Sequence, residues 1–132
     1  MLKESHTTYF SKASISVPFL LGEFDSAGIV KPCALASAEP FCVIAGTAGA
    51  AGKAVPVWLL GATPHAVRVV SGGAITLGAD IYTAPSGYVQ GLPSAAGTYY
   101  KVGIALEAAT ASGQEILAIV GIPQKLVVEQ PI

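Results

Sequence analysis

The stretch Ile116-Leu117-Ala118-Ile119-Val120 decides the fold class, because it is apolar at five consecutive positions between Gly113 and Gly121. A short run of this kind, bounded by turn residues and apolar on both faces, is typical of a central strand that is covered on both sides. The run Val67-Arg68-Val69 alternates instead, as a half-buried strand does. Both patterns predict β-structure.

Further short apolar runs, separated by Gly and Pro, predict strands along most of the chain beyond Gly28. They cover residues 29–31, 41–45, 54–60, 66–70, 81–84, 102–106, 115–122 and 125–128. Short strands with frequent turns favour an all-β fold of the sandwich or barrel type. We expect one compact domain over residues 22–132.

Two Ala-rich stretches, 47–51 and 107–111, interrupt these strands sixty positions apart. Ile44-Ala45 matches Ile104-Ala105 at the same offset, and Gly61 matches Gly121. The pattern predicts a repeated unit of strand, short helical turn and strand.

Residues 1–21 are expected to form an extended N-terminal arm, because Ser, Thr and Lys alternate there with isolated apolar side chains and Pro18 prevents a continuous helix. Ile15 and Val17 lie on one side of an alternating segment that could pair with the sheet edge of a partner. Tyr9 and Phe10 are better explained by contact with another subunit than by a core.

The composition indicates a surface that partners cover, since 52% of residues are hydrophobic and only 11% are charged. An ordinary soluble domain has about 25% charged residues. A membrane-spanning helix needs about 20 continuous apolar residues, and Pro or Gly interrupts every candidate stretch. We therefore expect no membrane partner. With a net charge of −1 and seven scattered basic residues, we also expect no nucleic-acid partner.

Residue patterns that carry chemistry are incomplete in this sequence. The Gly-rich stretch 46–54 has Thr47 where a phosphate-binding loop needs its first Gly, and Ala54 where that loop needs a hydroxyl group. Cys33 and Cys42 lack the spacing of metal ligands, and the sequence does not decide whether they pair. His6 and His65 have no nucleophile in a recognisable motif beside them. We expect no enzyme activity, catalytic residue, cofactor or metal.

Four tyrosines, Tyr82, Tyr88, Tyr99 and Tyr100, cluster within the turn-rich span 81–101. Tyrosine is enriched at protein interfaces, so these residues are candidate contacts between subunits; packing in the core is the equal alternative.

The span 71–84, SGGAITLGADIYTA, resembles the "gaIt.Gd.vy" signature of phage capsid cement proteins. Residues 85–89 are similar to the turn that follows in that family, and residues 101–113 to its "iG.ale.a..G" element. Residues 48–60 resemble an upstream segment, so the resemblance covers most of 28–122.

This resemblance implies a compact β-tulip or β-sandwich-like fold, assembled as a homotrimer on the outer surface of the capsid and made in the host cytoplasm. The partner would be the major capsid protein, and the chain would stabilise the shell without catalysis. Tyr9, Phe10, Ile15 and Val17 are then candidate capsid contacts. The alternative is a β-rich tail or fibre-associated module, which could bind glycans through the tyrosine cluster.

Overall fold

A computed structural model of the protein describes residues 6–25, 28–63 and 65–129. Within these residues the chain forms ten strands and one short 3₁₀ turn, which confirms the all-β prediction. The strands are β1 His6–Phe10, β2 Leu20–Phe24, β3 Val30–Pro32, β4 Cys42–Ile44, β5 Ala54–Leu59, β6 Val67–Val70, β7 Asp80–Thr83, β8 Val89–Gln90, β9 Gly97–Ala105 and β10 Glu115–Val128; the 3₁₀ turn is Pro85–Gly87.

The strands form two five-stranded antiparallel sheets with the same internal order. The first sheet has the order β1-β5-β4-β2-β3, and the second has the order β6-β10-β9-β7-β8. Each strand of β1–β5 therefore has a counterpart among β6–β10 at the same place in the other sheet. We call β1–β5 with their loops the first half, and β6–β10 with their loops the second half.

Hydrogen bonds outside the strands repeat in the two halves as well. Ile15 and Ala48 exchange two backbone hydrogen bonds of 2.8 and 3.0 Å, and Ile75 and Ala109 exchange two of 2.9 Å. Ser11 donates its hydroxyl to the Ala50 carbonyl at 3.1 Å, and Ser71 donates to Ala111 at 2.8 Å. The structure thus contains a repeat that extends to a whole sheet with its loops, as the sequence suggested. The residue matches suggested by the sequence are wrong by one position, because Ala48 corresponds to Ala109 and Ile44 to Ala105, and not to Ile104.

The helical turns expected in the Ala-rich stretches are absent from the described structure. Ala48 and Ala109 lie in isolated β-bridges instead, and both stretches are followed by glycines in the left-handed region, Gly52 at φ 81° and Gly113 at φ 88°. Since Ala pairs across the loop through its backbone, its helix propensity has no effect here. The 3₁₀ turn lies elsewhere, at Pro85–Gly87.

Residues 6–10 are extended, as expected, but they pair within their own chain. β1 runs antiparallel to β5 from His6 opposite Trp58 to Phe10 opposite Ala54. Ile15 is 3% exposed, and β2 lies between β3 and β4. In the described fold this segment is thus part of the first sheet; the boundary between an arm and a domain at residues 21 and 22 stays a prediction.

The second sheet contains the longest strands. The predicted strands 115–122 and 125–128 are one strand, β10, whose register with β9 shifts between Val120 and Gln124. As predicted, β10 is not at the edge of its sheet but lies between β6 and β9. The predicted cover on both sides is wrong for the described chain, because Ile119 on one face is 53% exposed.

Two apolar clusters fill the structure. One includes Ile44, Val55 and Val57 and lies on the face of the first sheet that its own loop residues Ile15 and Ala48 cover. We call this face, and its counterpart in the second sheet, the inner face, and the opposite face the outer face. The larger cluster joins the outer face of the first sheet, at Leu21 and Val43, to the inner face of the second sheet. The two halves therefore meet through the outer face of the first sheet and the inner face of the second sheet. The inner face of the first sheet and the outer face of the second sheet take no part in this contact.

Candidate interaction surfaces

The four residues predicted to contact the capsid lie close together in sequence but differ in accessibility. Phe10 is 61% exposed at the end of β1, and Val17 is 37% exposed in the loop before β2. Tyr9 is half-buried, with its ring 4.6 Å from that of Phe24. Ile15 is buried in the inner cluster of the first half, so in this fold its side chain offers no surface to a partner.

The four tyrosines lie at the β7–β8–β9 end of the second sheet, so the structure brings them to one region. Tyr82 and Tyr99 are each only 8% exposed, and the Tyr99 hydroxyl donates to the Ala95 carbonyl at 2.9 Å. Tyr88 and Tyr100 are half-buried. Two of the four thus pack largely within their own chain, which leaves Tyr88 and Tyr100 as the better placed for contact between subunits.

A shallow apolar groove of about 450 Å³ lies on the outer face of the second sheet. Ile104, Ile119 and Ile122 line it and are 40%, 53% and 74% exposed. Monomeric proteins rarely expose large contiguous apolar patches, which mark binding sites. The apolar run of β10 predicted a covered face here, so nothing in the sequence indicated that this face is open in one chain.

The rim of this groove is polar. Asp80 lies opposite Ile104 in the sheet and forms an ion pair of 3.3 Å with Lys101. On the β6 side, Arg68 lies 3.8 Å from Glu107. An apolar centre with a polar rim is the usual anatomy of a protein interface.

A second exposed apolar surface lies on the inner side of the first sheet. Phe24 contacts both Tyr9 and Phe41, and the Phe24 and Phe41 rings stack with centroids 5.9 Å apart. Phe41 is 48% exposed. Sequence analysis singled out Tyr9 here but missed Phe24 and Phe41, whose proximity depends on the pairing of β2 with β4 and of β1 with β5.

The Gly-rich stretch 46–54 has a structural role in this fold. The backbone N–H of Ser11 donates to the Lys53 carbonyl, and the N–H of Gly52 donates to the Ser11 carbonyl, both at 2.9 Å. Ala48 is occupied by its bridge to Ile15. These hydrogen bonds use backbone groups of the loop to join it to the segment after β1.

Cys33 and Cys42 are both free and buried. Desolvation by burial, with a smaller contribution from the charge of Glu23, raises the pKa of the Cys33 thiol to about 12. Burial also raises the pKa of Cys42, to a greater extent. Both thiols are therefore protonated at neutral pH, and a protonated buried thiol is a poor nucleophile and metal ligand.

The remaining candidates for chemistry stay apart. His65 is exposed, with its ring edge-on to Trp58 at 6.1 Å, and the side chain of His6 lies outside the described part of the structure. In residues 6–25, 28–63 and 65–129, no three His, Cys, Asp or Glu residues are grouped as a metal site. The same residues contain no helix with the length and hydropathy to cross a bilayer.

A duplicated all-β fold whose main surface features are exposed apolar side chains is typical of proteins that assemble with other proteins. Residues 24–120 match the phage cement protein family, and this match includes more than half of the chain and parts of both halves. The chain belongs to this family. It is a structural protein of the phage virion, associated with the capsid.

The head fiber gp8.5 N base of bacteriophage phi29 is similar in structure. The similarity has a TM-score of 0.62 at 18% sequence identity and covers 95% of this chain and 98% of the other. At that identity the similarity concerns the fold. No curated protein matches the chain in sequence.

Proposed function

We propose that this protein binds the outer surface of a phage capsid as a homotrimer and stabilises the shell, without catalysing a reaction. The match of residues 24–120 to the phage cement protein family supports this function. The partners are the major capsid protein and further copies of the chain.

Apolar burial would supply most of the binding energy, because few charged groups are present. The net charge is −1 with 11% charged residues, so little long-range attraction is available. Phe10 and Val17 are the proposed capsid contacts that the fold leaves exposed. Tyr9 would support Phe10 from the same strand, while Ile15 would hold the loop that carries Val17.

A trimer would multiply modest contacts. When one subunit has bound, the next binds at a high effective concentration, so three weak sites give tight attachment. Attachment of this kind depends little on salt, because apolar burial is not screened by ions.

The copy number in purified particles tests the location on the capsid. We expect one protein per major capsid protein, or one trimer at each local threefold position. Absence from the particles would refute the proposal.

Point variants test the contact residues better than a deletion does. Removing residues 1–17 would also remove β1 and the buried Ile15, and the fold would be lost with the contact. We expect Phe10→Glu and Val17→Glu to weaken binding to isolated shells in co-sedimentation, with unchanged unfolding midpoints. Leu77, which is 62% exposed in the corresponding loop of the second half, provides the control variant Leu77→Glu.

The structural similarity to a head fiber base supports a second candidate, a fibre-associated module of the virion. Glycan binding through the partly exposed Tyr88 and Tyr100 would belong to this alternative. A copy number of only a few per particle, together with glycan binding that Tyr88→Ala abolishes, would favour it over the cement function.

A further inference from the structure

We infer that copies of this chain associate head to tail, with the outer face of one second half seated on the first half of the next copy. The contact would repeat between chains the packing that joins the two halves within one chain. The inference deepens the self-association in the proposed function, on which it rests, by naming the surfaces that meet.

The contact within the chain has two sides. On the first half, Cys33 and Val43 are at most 1% exposed, and Trp58 packs against the same cluster with Phe19 stacked on it at 6.1 Å. On the second half, Val69 and Val102 belong to that cluster. The two halves therefore share one apolar core.

Hydrogen bonds between the loops strengthen this contact. The Thr83 hydroxyl donates to the Ala36 carbonyl at 2.5 Å, and the Ser86 N–H donates to the Ala34 carbonyl at 2.9 Å. The loop between β3 and β4 of the first half thus covers β7 and the 3₁₀ turn of the second half.

The register of the two sheets shows which residues are equivalent. Val43 opposite Trp58 corresponds to Ile104 opposite Ile119. Leu21, opposite Val43, corresponds in the same way to Asp80, opposite Ile104.

On the outer face, these equivalent residues differ in burial. Val43 is 0% exposed, whereas Ile104 is 40% exposed. Ile119, the counterpart of the half-buried Trp58, is 53% exposed. At the positions of Val43 and Trp58 the second half thus carries exposed apolar side chains, whereas at the position of the buried Leu21 it carries the exposed Asp80. Within the described residues, Gly61 and Thr63 of the first half border this face at Ile122.

On the inner face the difference in burial is reversed, because here the residues of the second half are buried and those of the first half are more exposed. Val69, Thr83, Val102 and Val120 of the second half are all 5% exposed or less. Their counterparts in the first half are half-buried or exposed, and three of the four are aromatic: Tyr9, Phe24, Phe41 and Leu59. The first half thus leaves open the surface that the second half has covered.

One chain therefore has two unlike, largely apolar surfaces, which lie at positions equivalent to the two sides of the contact between its own halves. This relation identifies a second copy as the occupant. A contact between unlike surfaces is heterologous, and it closes into a ring where the rotation allows. A ring of three copies would satisfy every such surface. A symmetrical contact of the Ile119 faces would leave the aromatic surface of every chain uncovered.

Two variants test the inference, one for each surface. A carboxylate at the centre of an apolar contact is strongly unfavourable. We therefore expect Ile119→Glu and Phe41→Glu each to weaken self-association by at least about tenfold. In sedimentation velocity the wild type should run as an oligomer and both variants at the single-chain mass of 13.3 kDa. Leu77→Glu, equally exposed but outside both surfaces, should keep the wild-type mass.

An equimolar mixture of the two variants makes the decisive experiment. Ile119→Glu keeps the aromatic surface and Phe41→Glu keeps the Ile119 face, so the mixture retains one intact contact and should form a 1:1 heterodimer. The inference is overturned if Phe41→Glu stays oligomeric, if the mixture stays monomeric, or if the wild type is monomeric at every soluble concentration. Co-sedimentation with isolated capsid shells measures capsid binding separately. An oligomer that does not bind these shells would therefore refute only the proposed function.

Discussion

The two halves of this protein share a strand order, loop bridges and a buried serine, yet they carry different side chains at many equivalent positions. In the first half, Ile44 and Val57 fill the inner cluster, whereas the second half has Ala105 and Ala118 at the same places. Cys42 of the first half corresponds to Gly103 of the second. The backbone hydrogen bonds maintain the same sheet and loop arrangement in both halves. The side chains differ in size because different elements pack against the two sheets.

The difference follows from what covers each sheet. The inner face of the second sheet receives the first half as well as its own loops, so it needs small side chains to fit both. The inner face of the first sheet is covered by its own loop at Ile15 and Ala48, and larger side chains fill the remaining space. Because protein interiors are closely packed, changing the size of any of these side chains should lower the free energy of unfolding.

The largest expected effect is at Gly103, the counterpart of Cys42. A Cβ atom there would lie 1.9 Å from the Ile119 carbonyl oxygen and 3.0 Å from the Val120 Cα. Since these are backbone atoms of the paired strand, they cannot move aside as a side chain would. We expect Gly103→Ala to cost more than about 3 kcal/mol of the free energy of unfolding, or to prevent folding.

Urea unfolding followed by circular dichroism measures this loss. Gly73→Ala is the control, because a Cβ at Gly73 meets nothing within 4 Å and the change should stay within about 0.5 kcal/mol. A Gly103→Ala protein as stable as the wild type would show that β9 and β10 are not this close.

The next largest effect concerns the pair Ile44 and Ala105. Ile44→Ala should cost about 2–5 kcal/mol, because it leaves a cavity at a fully buried position. The reverse change, Ala105→Ile, should cost about 1–3 kcal/mol, because it overfills the equivalent position. Chemical denaturation of both variants measures the two losses. If Ala105→Ile were stabilising, the second half would contain unfilled space and our account of the size difference would be wrong.

The alkaline pH dependence of stability should arise in the first half, since both cysteines of the chain, Cys33 and Cys42, lie there. The folded state raises the pKa of both thiols above the ordinary value of 9.0. Stability is therefore complete below about pH 9 and falls as pH rises, because the unfolded chain loses protons that the folded chain retains. At about pH 10 we expect each thiol to account for about 1.4 kcal/mol.

Unfolding midpoints of the wild type and of a Cys33→Ala/Cys42→Ala variant, measured between neutral pH and about pH 10, test this assignment. The variant should lose less stability than the wild type over that range. Parallel curves for the two proteins would mean that other groups cause the alkaline destabilisation.

The smallest effect should be the same in both halves. Ser11 and Ser71 are 2% and 0% exposed and donate to equivalent carbonyl groups. Ser→Ala at either position should cost about 1 kcal/mol, the usual worth of one hydrogen bond. Thermal and urea denaturation of the two single variants should give nearly equal losses. A large difference between them would argue that the loops of the two halves are not energetically equivalent.

Much of the fold follows from local patterns. Runs of β-branched and apolar residues between Gly and Pro located seven of the ten strands, because a strand's period and its breakers are visible in a few residues. The strand Val89–Gln90 was too short to leave such a pattern. Among the predicted capsid contacts, Phe10 and Val17 are exposed, whereas Ile15, in the same alternating segment as Val17, is buried. The contacts themselves stay a prediction.

By itself, the sequence determined the all-β class, the positions of seven of the ten described strands, the central place of β10 and the presence of a repeat, but not the exact register of that repeat. Only the tertiary structure decided that β1 pairs with β5, that Ile15 lies inside, and that the outer face at Ile104 and Ile119 is open while Val43 is covered. The physical reason is the range of the interactions. Backbone propensity and side-chain alternation act between neighbours in sequence, whereas the covering of a face depends on residues that folding brings from the other half of the chain.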